Sequence, residues 1–410
     1  MKFIFADSQD FIDPGYDFEK DAYSKDRVLQ RTDRYPHEMF EKKPYDGMLV
    51  SRAILADGVY KTAGAYSIMQ SQRFKREGVS KFLRYSDGPI FGDSGAFSYV
   101  KLEKPPYDNE EMVEYYVQCG FTHAVAVDHI IFEYDKRFDE DNDDFVVNDE
   151  MRARYNITQD NAKEFIRISN EKNVSFEPIG VAQAWSPKSM QEASKSLVDM
   201  GYTYIAIGGL VPLDVDQCEE IVAAVRSVIP KKIKIHLFGF AKAKQLHRFV
   251  KYDITSFDST SPLIRAFKDN KFNYYSPKEH YTAIRVPSSD GTASLKRKIS
   301  SGVLSQEYAQ KMEKESLHAI RAYDKGNMPL EEALAKIISY EKLFKDKIPE
   351  SRYRQVLQDQ YWKTCECEIC KDVGVEVAIF RNSNRNRRRG FHNLWQFMRE
   401  LDELLEGQNK

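Results

Sequence analysis

The sequence predicts an α/β fold, and within that class a closed TIM (β/α)8 barrel. Three observations carry the prediction. Eight short, nearly continuous apolar runs punctuate the first two-thirds of the 410 residues. Runs of this kind fit parallel strands buried on both faces. Longer amphipathic stretches separate several of them, as helical crossovers between parallel strands require. Polar residues gather at the C-terminal ends of the runs, where barrel enzymes keep their chemistry.

In chain order the runs are Lys2–Asp7, Gly47–Leu55, Pro89–Gly95, His123–Ile131, Glu177–Gln183, Tyr204–Leu210, Lys234–Phe240 and Thr255–Thr260. In a barrel, Asp93, Asp128, Gln183, Gly208, Gly209 and Asp258 would ring one mouth. Helical spacing marks Asn161–Asn170, Ser189–Met200 and Val215–Ile229, the last with Asp214 as its N-cap. The acidic segment with Asp139, Glu140, Asp141, Asp143 and Asp144 lacks the central glycine of a calcium loop and reads as solvated chain. From Ser288 the composition changes: a Ser-Ser-Asp-Gly-Thr linker precedes Lys296, Arg297 and Lys298. Helices are expected over Ser305–Tyr323 and after Pro329, where Leu330, Leu334, Ile337 and Ile338 form a stripe. A final helix places Leu394, Phe397, Met398, Leu401 and Leu405 on one face. The expected domains are residues 1–290 for the barrel, 291–391 for a helical, metal-binding insertion, and 392–410 for a last helix packing back on the barrel.

Apolar residues make up 42% of the chain, enough for a soluble globular core. No run approaches the ~18 apolar residues of a membrane span. The opening Met1-Lys2-Phe3-Ile4-Phe5-Ala6-Asp7 meets an acid at once, without a signal-peptide core, so the expected compartment is the cytoplasm. A net charge of −2 gives no chain-wide attraction to nucleic acid, so such binding must come from local patches. Cys365, Cys367 and Cys370 are three of five cysteines, and with His392 they make a Cys3His set. Zinc prefers such a set, and four protein ligands leave no position for water, so the expected Zn2+ is structural. Cys119 and Cys218 read as buried thiols. Between Cys370 and His392 lie Arg381, Arg385, Arg387, Arg388 and Arg389, interleaved with asparagines and read as a phosphate-binding loop. Lys296, Arg297 and Lys298 are a second candidate patch. His123, His129, His236 and His247 read as packing or hydrogen-bonding residues.

Single motifs here are weak, but their order is specific. Asp93-Ser94-Gly95-Ala96-Phe97 is followed by Val127-Asp128, Gly180-Val181-Ala182-Gln183, Ile207-Gly208-Gly209-Leu210, Phe257-Asp258 and the cysteine cluster with its distal histidine. That order resembles the tRNA-guanine transglycosylase superfamily over most of the chain. The resemblance implies a TIM barrel with an inserted C-terminal zinc-binding subdomain. It also implies Asp258 as nucleophile and Asp93 as acid/base carboxylate. Asp128 and Gln183 would hold the base edge with backbone help from Gly208 and Gly209, and Phe97 would stack on the base. The tRNA enzymes follow their nucleophile with a Leu-Pro-Thr-Arg type segment; here Asp258 is followed by Ser259-Thr260-Ser261-Pro262. That stretch, Tyr274-Tyr275 and the opening Lys2–Ser8 look like the DNA-modifying branch, the DpdA-like DNA-guanine transglycosylases. The implied activity is exchange of guanine in DNA for a 7-deazaguanine, 7-cyano-7-deazaguanine first. Flipping a paired guanine costs a few kcal/mol, which a helper protein could meet; the resemblance to the DNA-modifying branch implies an ATP-using one as a possible partner. The alternatives are the same chemistry on tRNA, or a noncatalytic zinc-bearing nucleic-acid-binding paralogue. Both acids are present, which argues against the paralogue.

Overall fold

The computed structural model describes residues 1–55, 66–140, 144–240 and 243–407. Each of the eight apolar runs supplies one strand. These are β1 (Lys2–Ala6), β2 (Gly47–Ser51), β3 (Ile90–Asp93), β4 (His123–Val125), β5 (Glu177–Ala182), β6 (Tyr204–Ile207), β7 (Lys234–Leu237) and β8 (Ser256–Asp258). They pair in parallel and in sequence order, and β8 returns to β1 with Ile4 opposite Asp258, which closes the barrel. The interior holds a buried cluster of Ile4, Leu49, Phe91, Val125, Ile179, Val181, Tyr204 and Ala206. Inner and outer faces are both covered, so the strands read as continuous apolar runs and not as alternating ones.

Side-chain caps start the crossover helices. Asn148 accepts from Met151 N at the head of Asp149–Glu171, and Ser186 from Ser189 N at the head of Pro187–Asp199. Asp214 accepts from Gln217 N at 2.9 Å and starts Val215–Val228, as its position predicted. Asp139, expected to be merely solvated, accepts from the Ser186 hydroxyl at 2.6 Å and from Lys188 N at 3.0 Å. It thereby holds the start of the helix after β5. Asp141 and Asp143 of the same acidic run lie outside the described residues. Between β7 and β8 the described connection is short 3-10 turns at Ala243–Arg248 and Val250–Tyr252.

The chain forms two compact units. Met1–Gln9, Tyr45–Thr260 and Leu404–Lys410 make the first, and Asp10–Pro44 with Ser261–Glu403 make the second. These boundaries differ from the expected 1–290, 291–391 and 392–410. Residues 10–44 and 261–290 group with the second unit because charged and polar side chains far along the chain hold them. Arg381 binds Asp21 at 2.6 Å, and Asn393 binds the carbonyls of Pro262 and Asn273 at 3.1 and 3.0 Å. The second unit is largely helical. Its helices Gln306–Asp324 and Leu330–Glu341 are the two predicted there. The last helix runs Ser383–Gly407 and therefore starts nine residues before the expected 392. Asn382 caps it, accepting from Arg385 N at 3.1 Å. Among the described residues no helix is long and apolar enough to cross a membrane.

Candidate active site and metal centre

The mouth of the barrel brings three carboxylates within electrostatic reach of one another. Asp93 ends β3, Asp258 ends β8, and Asp128 follows β4. Oδ1 of Asp93 is buried and has no hydrogen-bond partner among the described residues. Burial pushes the Asp93 carboxyl up to about 7, and the charges of Asp128 and Asp258 push it further the same way. The Ser51 hydroxyl and the Gly95 N–H oppose that rise without cancelling it. Gly95 sits at φ 82°, and a Cβ there would stand 2.6 Å from Ala53 Cβ. The turn and its packing against Ala53 therefore both require a glycine here.

Asp128 is buried, and burial raises its pKa to about 6 against the hydrogen bond from Gln183. Gln183 Nε2 donates to Asp128 Oδ2 at 2.8 Å, while its Oε1 accepts from Ile131 N at 3.3 Å. One amide hydrogen and one lone pair of Gln183 remain for a ligand. Gly208 makes this arrangement fit: a Cβ on it would lie 2.1 Å from Gln183 Nε2. Gly209 stands beside it, where a Cβ would meet the Ile131 carbonyl at 2.8 Å. Both glycines thus seat Gln183. Phe97 is 54% exposed on the short helix Ala96–Tyr99, and its ring lies 5.8 Å from that of Phe132. Phe132 carried no sequence signal, because a single aromatic after an apolar run is common.

Asp258 is buried to 9% exposure. Its Oδ1 accepts from Gly239 N at 2.8 Å and lies 3.3 Å from His236 Nε2. His236, on β7, is fully buried and sits 2.6 Å from the Ser256 hydroxyl through Nδ1. In the sequence alone His236 reads as a packing or hydrogen-bonding residue. A histidine inside an apolar run shows nothing of a partner on the neighbouring strand.

In the second unit, Cys365, Cys367, Cys370 and His392 are all buried and offer four ligand atoms within 4.8 Å of one another. The Sγ atoms lie 3.6, 3.3 and 3.4 Å from His392 Nδ1. Metal–ligand bonds of tetrahedral Zn–Cys and Zn–His length imply S···N edges of about 3.5 Å. The four residues therefore could hold a metal ion. His392 Nε2 donates to the Tyr275 carbonyl at 2.8 Å, which leaves Nδ1 as the ligand atom.

The profile of the queuine tRNA-ribosyltransferase family, TGT, matches residues 59–404. The chain belongs to the TGT family. It is also 41% identical over 411 aligned residues to a DNA-guanine transglycosylase of Salmonella montevideo, covering 99% of this chain and 97% of that protein. The likeness places the chain with the DNA-modifying branch of the superfamily and makes it a glycosyltransferase-type enzyme.

The TGT match does not assign the arginine run, and the structure corrects its expected form. Residues 381–389 are not an open basic loop; from Ser383 they are the first turns of the last helix. Arg385, Arg388 and Arg389 are buried. Arg385 pairs with Asp21 and with Glu376, Arg388 with Asp372 at 2.6 Å, and Arg381 with Asp21 and Glu313 at 2.6 Å each. Arg389 donates to the carbonyls of Val377, Ile379 and Ala266. Arg387 is half-buried and donates to the Phe11 carbonyl at 3.1 Å. These guanidiniums are engaged with protein acceptors, and phosphate contact by Arg381 or Arg385 would draw a cation away from the buried Glu313 or Glu376. Lys296 and Arg297 are exposed on the helix Ala293–Ser300.

Proposed function

We propose that this chain exchanges guanine in DNA for a 7-deazaguanine, 7-cyano-7-deazaguanine first, through a covalent bond to Asp258. The observation that carries the reading is the pair of strand-end carboxylates in unlike surroundings. Asp258 accepts from Gly239 N on Oδ1, with His236 Nε2 beside the same oxygen, which orients the carboxylate for attack. Asp93 is held near 7, where a carboxyl both gives and takes a proton at neutral pH.

In the first half-reaction a carboxylate oxygen of Asp258 attacks C1′. The C1′–N9 bond breaks, its electron pair leaves with guanine, and Asp93 supplies a proton to the departing base. In the second half the incoming base loses its ring N–H proton to Asp93. Its nitrogen attacks C1′, and the ester to Asp258 breaks to restore the carboxylate. This is the two-carboxylate logic of retaining glycosidases applied to a nucleoside. Asp128 and the remaining donor and acceptor of Gln183 suit guanine's mixed edge, and the exposed Phe97 ring suits stacking on it. The relative's name supports DNA as the polymer. Zinc in the Cys3His site would cross-link Cys365 to His392 and take no part in the reaction. An ATP-using helper would meet the cost of exposing a paired guanine.

The test is base exchange. Labelled guanine or 7-cyano-7-deazaguanine is offered with duplex DNA and, separately, with tRNA. Stable label in DNA is expected, and label in tRNA alone would overturn the polymer assignment.

A further inference from the structure

The barrel interior below Asp258 carries a line of polar groups that base exchange as described leaves unused. The Tyr204 hydroxyl lies 2.6 Å from Ser256 Oγ, Ser256 Oγ lies 2.6 Å from His236 Nδ1, and His236 Nε2 lies 3.3 Å from Asp258 Oδ1. Tyr204 is 2% exposed, Ser256 1% and His236 0%. Strand register explains the line: His236 is opposite Ser256, and Ser256 shares a strand face with Asp258 two residues on. Aromatic rings pack around the imidazole, Phe91 at 5.3 Å and Phe238 at 4.7 Å between centroids. An aliphatic residue would fill such a place without needing two hydrogen-bond partners.

From this geometry we infer that His236 is a positioning residue for Asp258, holding Oδ1 so that Oδ2 faces the substrate. This rests on Asp258 being the nucleophile. The direction of the hydrogen bonds follows from the donors available. If Tyr204 donates to Ser256 and Ser256 donates to Nδ1, the imidazole carries its proton on Nε2 and points it at the carboxylate. The opposite tautomer would set a nitrogen lone pair against an anionic oxygen. A doubly protonated ring would present the same Nε2–H. Gly239 N–H reaches the same oxygen at 2.8 Å. Both described bonds therefore fall on Oδ1, which fixes the carboxylate plane and leaves Oδ2 to attack C1′. A nucleophile fixed in this way has little orientation left to lose on the way to the transition state.

The experiment follows adduct formation between enzyme and guanine-containing DNA with no replacement base, read on denaturing gels under single-turnover conditions. Four proteins are compared: the wild type, Asp258→Ala, His236→Phe and His236→Gln. His236→Phe keeps a flat ring but removes the donor. Losing a hydrogen bond to a charged group should slow its adduct formation about 10- to 100-fold, with DNA and guanine dissociation constants unchanged. His236→Gln, whose Nε2 can replace the imidazole donor, should recover most of the rate. Packing alone would predict no rescue by Gln. A wild-type rate in folded His236→Phe, or equal losses in Phe and Gln, would overturn the inference. Should His236→Phe not fold, Ser256→Ala carries the test. It removes the hydroxyl that fixes the tautomer and should slow the same step, and an unchanged rate there would also overturn the inference. Adduct in Asp258→Ala is a different outcome: it would overturn the nucleophile assignment and this inference with it.

Discussion

Asp93 shows at the scale of one residue how a function is held against stability. Its carboxyl lies near 7 where 3.8 is ordinary, because burial and two neighbouring acids disfavour its charge. The native state therefore binds this proton more readily than the unfolded chain does. Stability is lost as pH rises from about 4 to about 7 and stays lost above. Asp93→Asn has nothing to ionise. Its thermal midpoint should exceed the wild type's by a margin that grows through that window and levels off above pH 7. At neutral pH the expected gain is a few degrees. The same variant should lose base exchange by at least about 100-fold. Melting curves from pH 4 to pH 8 check the first statement; a difference that does not change with pH would show that Asp93 is not perturbed in this sense.

Among the elements, the helix Ser383–Gly407 overturned a reading of its own sequence. Five arginines among asparagines look like a surface made for phosphate. Their partners Asp21 and Glu313 are remote in sequence, and nothing local announces them. Arg385→Ala would remove one of two arginines from each of Asp21, which keeps Arg381, and the buried Glu376, which keeps Arg321. Losing a hydrogen bond to a charged group costs about 1.5–3 kcal/mol. We expect a clear fall in unfolding free energy in urea and no change in the salt dependence of DNA binding by the folded fraction. A flattened salt slope with unchanged stability would restore the phosphate-binding reading. The metal centre belongs to the same scale. Four buried ligand groups tie Cys365 to the last helix. Metal binding at such a site is folding free energy. Active protein should hold one zinc per chain, and a strong chelator should strip hydrogen-exchange protection from residues 361–403 before the barrel strands. Protection lost first from the strands would contradict a structural role in this unit.

Across the whole molecule, the barrel was legible because strands covered on both faces leave apolar runs that helices interrupt. Asp214 was legible as a cap because capping is a local bond. Asp93, Asp128, Gln183 and Asp258 were found as strand-end residues, and their shared mouth follows from barrel closure. What the chain did not disclose depends on partners far along it: Asp21 for the arginines, Ser256 and Asp258 for His236, and Gln183 for Gly208. The domain limits were missed for the same reason, since residues 10–44 carry no run that assigns them to the second unit. Chemistry at the mouth gathers these scales into one claim, that Asp258 becomes bonded to the sugar during exchange. The most direct measurement is peptide mapping by mass spectrometry of the adduct formed with guanine-containing DNA in the absence of a replacement base. One modified peptide is expected, carrying a base-free deoxyribose esterified through C1′ to Asp258, and none in Asp258→Ala. An ester on Asp93, or exchange proceeding in Asp258→Ala, would contradict it.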